Sequence, residues 1–205
     1  MCPDADPSTA FVPDRVFLFS GHRIDAPDRR TPRFPPQTEA IAAASIGAAL
    51  DEWGAGPGDL ALAQGASGGD LLFLEACLAR GLRLQMLLPF SEPEFIESSI
   101  LPSAGGRHWC ERFHALKSRL VVPPRVMPAD LALPACLGVP EGAGPYERCN
   151  LWLLRTALTW GADKLHFLCL WNGGGADGAG GTAHLYAEAR RRRTRVIWLD
   201  TRSLW

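Results

Sequence analysis

The sequence predicts a doubly wound α/β domain, in which a mostly parallel sheet of about six strands carries helices on both faces. Two observations predict this fold. Short apolar runs alternate five or six times with longer segments that have a helical pattern. Several of these runs are continuously apolar, which is typical of strands that are buried on both sides of a parallel sheet.

The expected elements begin and end at residues that suit those positions. Prolines at 35 and 36 favour the start of a helix, and Gly54 favours its end. In the same way Gly81 ends the second helix, Pro89 closes the third strand and Gly161 stops a later helix. We expect strands at about 15–20, 60–64, 82–88, 164–171 and 196–199. We expect helices at about 35–53, 69–80, 107–120, 146–160 and 182–193, with a turn or a short helix at most at 91–100.

The chain is predicted to form one domain, residues 15–205, after a flexible N-terminal arm at 1–14 that is rich in Pro, Asp and Ser. Six prolines interrupt residues 121–145. A connection of this length is often a lid, a binding loop or a partner contact. A packed surface loop without a special role is an equally good interpretation.

Composition excludes several classes of protein. The 205 residues are 47% apolar and 21% charged, which is typical of a globular chain, and the net charge of −1 argues against a sheath for duplex nucleic acid. The chain has no apolar stretch long enough to cross a bilayer and no signal-peptide pattern, so we expect a cytoplasmic protein without a membrane partner. Its six cysteines include no Cys-x-x-Cys pair, which favours reduced thiols. Cys110 and His114 have a metal-compatible spacing, but no second pair accompanies them, so we predict no metal site and no cofactor.

Three predicted strands end in glycine-rich turns that lead toward helices. Because parallel strands leave their turns at one edge of a sheet, these loops are expected to meet there. Glycine allows a ligand to approach the backbone, and the N-terminus of a helix attracts anions. The pattern therefore predicts a site for a phosphate-bearing small molecule. The expected ligand-binding residues are Ser20, Gly21, His22, Arg23, Asp25, Arg33, Gly65, Ala66, Ser67, Gly68, Gly69, Asp70, Trp171, Gly180, Gly181 and Thr182.

The first loop places four arginines within eleven residues, from Arg23 to Arg33. The planar guanidinium group matches phosphate oxygens, and Asp25 could accept hydrogen bonds from ribose hydroxyls. The alternative is a solvated loop whose surface ion pairs contribute little.

The second and third loops complete the expected site. Ser67 or Asp70 could cap the helix that follows 65–70. Glu75 lies on that largely apolar helix, where a carboxylate needs either a partner or a function unless it faces solvent. The third loop runs from Asn172 to Thr182. Trp171 lies beside it, where its ring could stack on a base. Neither glycine-rich loop contains a Walker or a dinucleotide-binding motif.

Five short segments together resemble the SLOG superfamily, which includes DNA-processing protein A, the LONELY GUY phosphoribohydrolases and bacterial nucleotide-sensing domains. They are residues 19–25, 65–75, 87–90, Tyr146 with Asn150, and 180–182. The resemblance covers most of the chain from about residue 15. It implies a Rossmann-like fold, a nucleotide-type ligand at the glycine loops and a role in signalling, and dimers are common for such folds.

The same resemblance leaves catalysis open. If the chain were a nucleotide hydrolase or a nucleoside-monophosphate N-glycosidase, then Asp70, Glu75 or Glu188 would be the candidate catalytic residues. Aligned on Gly181 and Thr182, however, the catalytic glutamate of the phosphoribohydrolases falls on Leu185, which cannot stabilise the transition state for loss of a base. We therefore expect binding of a nucleotide-derived molecule, with hydrolysis as the alternative.

Overall fold

A six-stranded parallel sheet forms the centre of the computed structural model, which describes residues 11–133, 142–174 and 181–205. Helices cover both faces of the sheet, as expected for a Rossmann-like α/β fold. The strands are β1 (Val16–Gly21), β2 (Leu60–Ala63), β3 (Arg83–Leu88), β4 (Arg125–Val126), β5 (Leu165–Trp171) and β6 (Arg195–Asp200). The helices are α1 (Glu39–Glu52), α2 (Gly69–Ala79), α3 (Glu92–Ser99), α4 (Gly106–Lys117), α5 (Pro145–Leu158), α6 (Thr182–Arg191) and α7 (Thr201–Leu204).

The strand order β4-β3-β2-β1-β5-β6 places a topological switch point between β1 and β5. From β1 the chain builds outward through β2, β3 and β4, and it then returns to add β5 and β6 on the other side of β1. The register pairs Ser20 with Cys169 and Gly21 with Leu170, so β1 and β5 end side by side. Ligands of open parallel sheets bind at such a point, outside the carboxyl ends of the strands.

Side chains that alternate along the strands build a separate hydrophobic cluster on each face of the sheet. On β1, Phe17 and Phe19 join the cluster beneath α1, α2 and α4. Val16 and Leu18 join the opposite cluster, beneath α5 and α6. Each of the two phenylalanines is at least 99% buried, which contributes about 1.5–3 kcal/mol per side chain. The carboxyl edge of β1 is thus held between two packed layers.

Most expected elements begin and end within one or two residues of the observed ones. Two elements were not expected: β4, a pair of exposed residues inside the proline-rich connection, and α7 at the end of the chain. The segment at 91–100 does contain a short helix, α3. Residues 134–141 of the connection lie outside the described residues, so its two interpretations stay open.

Residues 11–14, which we expected within the arm, contact the sheet domain. The Asp14 amide donates to the Gly58 carbonyl at 2.9 Å, and the Lys164 ammonium donates to the Pro13 carbonyl at 2.8 Å. Arg83 lies over the Phe11 ring, 4.2 Å from its centroid. Residues 1–10 of the expected arm lie outside the described residues. Across the three described ranges, no helix combines the length and the apolar character that a bilayer crossing requires.

Candidate functional site

A cavity of about 470 Å³ opens at the carboxyl ends of β1 and β5, at the switch point of the sheet. Its volume falls within the range of about 300–1,000 Å³ that is usual for small-molecule sites. Polar and charged groups form much of the wall. The lining residues that the sequence predicted are Ser20, Gly21, His22, Arg23, Arg33, Ala66, Asp70, Trp171, Gly181 and Thr182. Gly180 lies outside the described residues.

The third loop meets the first at the N-terminus of α6. The Thr182 and Ser20 hydroxyl groups are hydrogen-bonded at 2.8 Å, across 162 residues of sequence. Gly181 is the N-cap of this helix, and no described side chain caps it. The first amide groups of an α-helix have no acceptor within the helix and carry a partial positive charge. The cavity therefore has, on this side, a wall that attracts anions.

His22 links the first loop to β5. This buried side chain accepts a hydrogen bond at Nε2 from the Asn172 amide, at 3.1 Å. A ring nitrogen that accepts an N–H carries no hydrogen of its own, so the geometry assigns the Nδ1–H tautomer to His22. The backbone at the end of β1 is thereby held against the start of the third loop.

The first and second loops join through a backbone bridge between Arg23 and Gly68. The Ile24 amide donates to the Ser67 carbonyl at 3.3 Å, and the Gly69 amide donates to the His22 carbonyl at 3.1 Å. Gly68 has a φ of +87°, and a β-carbon there would lie 2.6 Å from the Ile24 nitrogen. Only glycine fits this close contact between the two backbones. The first and second loops therefore meet because of backbone packing as well as strand order.

Four amides of the second loop, where we expected a phosphate cradle at residues 65–69, are bonded within the protein. Those of Gly65 and Ala66 donate to the Asp70 carboxylate at 3.0 and 3.2 Å, and the Ser67 amide donates to the Ser99 carbonyl at 3.3 Å. The Gly69 amide, as described above, reaches the first loop. These four donors are therefore already used, and a carboxylate of the chain lies against two of them.

Asp70 itself lines the cavity and is buried. Burial raises the pKa of its carboxyl group from 3.8 to about 6, because desolvation outweighs the amide hydrogen bonds and the nearby Arg23 guanidinium, which favour the charged form. The side chain thus has two functions in the fold: it fixes the path of the second loop, and it presents a titratable acceptor to the cavity.

Two arginines of the first loop line the cavity, Arg23 and Arg33. One Nη1–H of Arg23 donates to the Ser98 carbonyl at the end of α3, at 2.7 Å, which fixes the direction of its side chain. Asp25, expected to contact a ligand, is not among the lining residues. It is buried and accepts hydrogen bonds from the Arg33 and Phe34 amides at 2.9 and 3.0 Å, and it pairs with Arg29 at 3.3 Å. Its role is to shape the loop.

Two of the three candidate catalytic residues lie outside this cavity. The carboxylate of Glu75 pairs with Arg112, which donates to it at 2.7 Å and 2.5 Å on a different face of the molecule. Glu188 pairs with Arg191 at 2.9 Å and also with Arg192, and these partners lower its pKa to about 2. Asp70 alone of the three faces the cavity. Leu185, on α6, is fully buried in the hydrophobic core.

Sequence reasoning missed the part of the wall that is formed by Gln64, Ser99 and the start of α5. Gln64 immediately follows β2, and a polar residue directly after a buried strand is a signal that could have found it. Tyr146 and Asn150 belong to the resemblance but had no assigned role, and Ser99 and Glu147 carried no signal of their own. The Tyr146 hydroxyl lies 2.8 Å from that of Ser99.

Within the three described ranges, no group of three or more His, Cys, Asp or Glu side chains is arranged to hold a metal ion. No family model matches the chain, and no curated protein is significantly similar to it.

Proposed function

We propose that the protein binds a nucleotide-derived small molecule in the cavity at the switch point, with the ligand phosphate at the N-terminus of α6. The observation that carries this proposal is the meeting of three donor types in one cavity. They are the hydroxyl groups of Ser20 and Thr182, the first turn of α6, and the guanidinium groups of Arg23 and Arg33.

Each of these donors suits a phosphate for a different reason. The helix terminus contributes fixed N–H groups and a partial positive charge. The arginines contribute charge and a planar pair of donors, and their hydrogen bonds to anions are stronger than those between neutral groups. Trp171 adds a ring surface to the same cavity, against which a heterocycle can pack.

A binding role explains the site better than hydrolysis does. The proposed family, the SLOG superfamily, contains both sensors and hydrolases. The hydrolase position is occupied here by the buried Leu185, and Glu75 and Glu188 are held in ion pairs away from the cavity. We therefore favour a sensor of a nucleotide-type signal over a nucleoside-monophosphate N-glycosidase.

A thermal-shift panel followed by calorimetric titration tests the proposal. The panel contains inorganic phosphate, ribose 5-phosphate, the nucleoside monophosphates, cyclic nucleotides and ADP-ribose. We expect stabilisation by at least one phosphorylated compound. A folded sample that none of them stabilises would refute the proposed function, and free base accumulating during the incubation would favour the hydrolase instead.

Two matched pairs of variants locate the phosphate. Thr182→Val should weaken binding by about tenfold through loss of a hydroxyl donor, whereas Thr194→Val, just beyond the other end of α6, should leave the affinity unchanged. Arg33→Gln should weaken binding by about 10- to 100-fold, and the exposed Arg119→Gln is its control. Equal affinities within each pair would place the phosphate elsewhere.

A further inference from the structure

The part of the cavity wall that contains Gln64 and Asp70 has a different chemistry from the phosphate end. The amide of Gly65, the residue that follows Gln64, donates to the Asp70 carboxylate at 3.0 Å, so Gln64 and Asp70 lie close together. We call the surface that these two residues form the floor of the cavity. Gln64 is only 7% exposed, so an amide side chain here needs defined hydrogen-bond partners.

The orientation of the Gln64 amide is fixed by two acceptors. Its Nε2 donates to the Asn150 Oδ1 at 2.7 Å and to the Tyr146 backbone carbonyl at 3.4 Å. The carbonyl of Tyr146 excludes the flipped orientation, because Oε1 would then face another oxygen. Both hydrogens of Nε2 are thus used.

The acceptor oxygen of Gln64 remains for a ligand. Oε1 accepts no hydrogen bond from any residue in the described ranges. Asp70 supplies a second acceptor in the same part of the cavity, since the Gly65 and Ala66 amides both donate to its Oδ2. The floor of the cavity therefore presents two acceptors, and a complementary ligand must present two donors.

Guanine is the one common nucleobase that meets this requirement on its Watson–Crick edge. It carries two donor groups there, the N1–H and the N2 amino group, whereas adenine, cytosine and uracil each carry one. We propose that the floor of the cavity is a guanine subsite, in which Gln64 Oε1 accepts the N1–H and the Asp70 carboxylate accepts the N2 amino group. This inference rests on the proposed function, because it requires the phosphate to be bound at α6.

The test compares GMP, IMP, AMP and XMP by calorimetric titration at a pH well above the pKa of Asp70, with ribose 5-phosphate as the probe that lacks a base. Wild-type protein should bind GMP at least about tenfold more tightly than IMP, which lacks the N2 amino group, and than AMP. Equal affinities for GMP, IMP and AMP would overturn the guanine subsite.

Two variants assign the contacts separately. Asp70→Asn replaces an acceptor by a donor. The preference for GMP over IMP should therefore disappear in this variant. XMP, whose 2-oxo group accepts a hydrogen bond, should bind more tightly to the variant than to wild type. Gln64→Met should weaken GMP and IMP by the same factor, because both carry the N1–H. Persistence of the GMP preference in Asp70→Asn, or a changed ratio of GMP to IMP affinity in Gln64→Met, would overturn the assignment.

Binding of ribose 5-phosphate separates the two levels of the proposal. Both variants should bind it as wild type does, which also shows that they are folded. If wild type binds ribose 5-phosphate but shows no preference for GMP, the guanine subsite fails while the proposed function stands. If neither ribose 5-phosphate nor any nucleotide binds, the proposed function fails and the subsite with it.

Discussion

Asp70 acts as an internal anion for the second loop. Its carboxylate accepts the amides of Gly65 and Ala66, which a phosphate would otherwise occupy. The residue types between 65 and 70 predicted a phosphate site, and the Asp70 carboxylate lies against two of its amides. The sequence does not predict that the Asp70 carboxylate itself accepts these amides, because this depends on how tightly the backbone turns around the Asp70 side chain.

The raised pKa of Asp70 makes the stability of the fold depend on pH. Between pH 3.8 and about 6 the folded state binds this proton more tightly than the unfolded state does. The contribution of Asp70 to stability is therefore greatest at low pH and is lost as the pH rises through about 6. Since asparagine mimics the protonated side chain, wild type should lose about 2 kcal/mol more than Asp70→Asn between about pH 4 and pH 7. Urea denaturation of both proteins across this range measures the difference; parallel stability curves would contradict the shift.

At the scale of secondary-structure elements, one arginine connects three helices at a place outside the cavity. Arg112 on α4 pairs with Glu75 on α2, and its Nη1 lies 2.6 Å from the carboxylate of Glu39 on α1. The guanidinium carbon also lies 4.1 Å from the centroid of the Trp109 ring. This network gives Glu75 a partner, so the carboxylate on a largely apolar helix has a structural function.

Glu75→Gln tests whether that function is the whole role of the residue. The ion pairs are partly exposed, so the free energy of unfolding should fall by no more than about 1 kcal/mol, as chemical denaturation measures it. The affinity for the phosphorylated ligand should be unchanged, because the side chain lies outside the cavity. A large loss of affinity with normal stability would return Glu75 to the list of functional residues.

The helices and strands themselves could be predicted from the sequence wherever periodicity and stop signals agree. Gly54, Gly81 and Gly161 each have a positive φ and lie two or three residues beyond the end of a helix, as their residue type suggested. The strand β4 had no such signal: its two residues are exposed and lie among prolines. Its pairing with the end of β3 comes from tertiary contact rather than from local preference.

At the scale of the whole molecule, the site depends on the order of the strands. The sequence predicted a parallel sheet and loops that meet at one edge, and both are present. It did not supply the wall formed by α5, because Tyr146 and Asn150 reach the cavity only through the return of the chain to the other side of β1. Strand order is a long-range property that spacing along the chain does not encode.

Ligand binding should therefore stabilise the two halves of the sheet together. At a ligand concentration about 100 times Kd, the free energy of unfolding should rise by about 2.7 kcal/mol. Hydrogen exchange should slow most at the amides of residues 172–174 and 182–185, which flank the proposed phosphate site. Protection confined to residues 65–70 would instead place the ligand on the second loop.

The hydrogen bond between Ser20 and Thr182 also has a consequence for synthesis of the chain. The two residues that it joins are made far apart in time, since Thr182 leaves the ribosome 162 residues after Ser20. Nascent fragments that stop before α6 can bury much of the core beneath α1 and α2, yet they lack the wall where the phosphate is proposed to bind. Ligand recognition thus requires α6 to be in place, and a ligand that is already present would favour the docking of this helix.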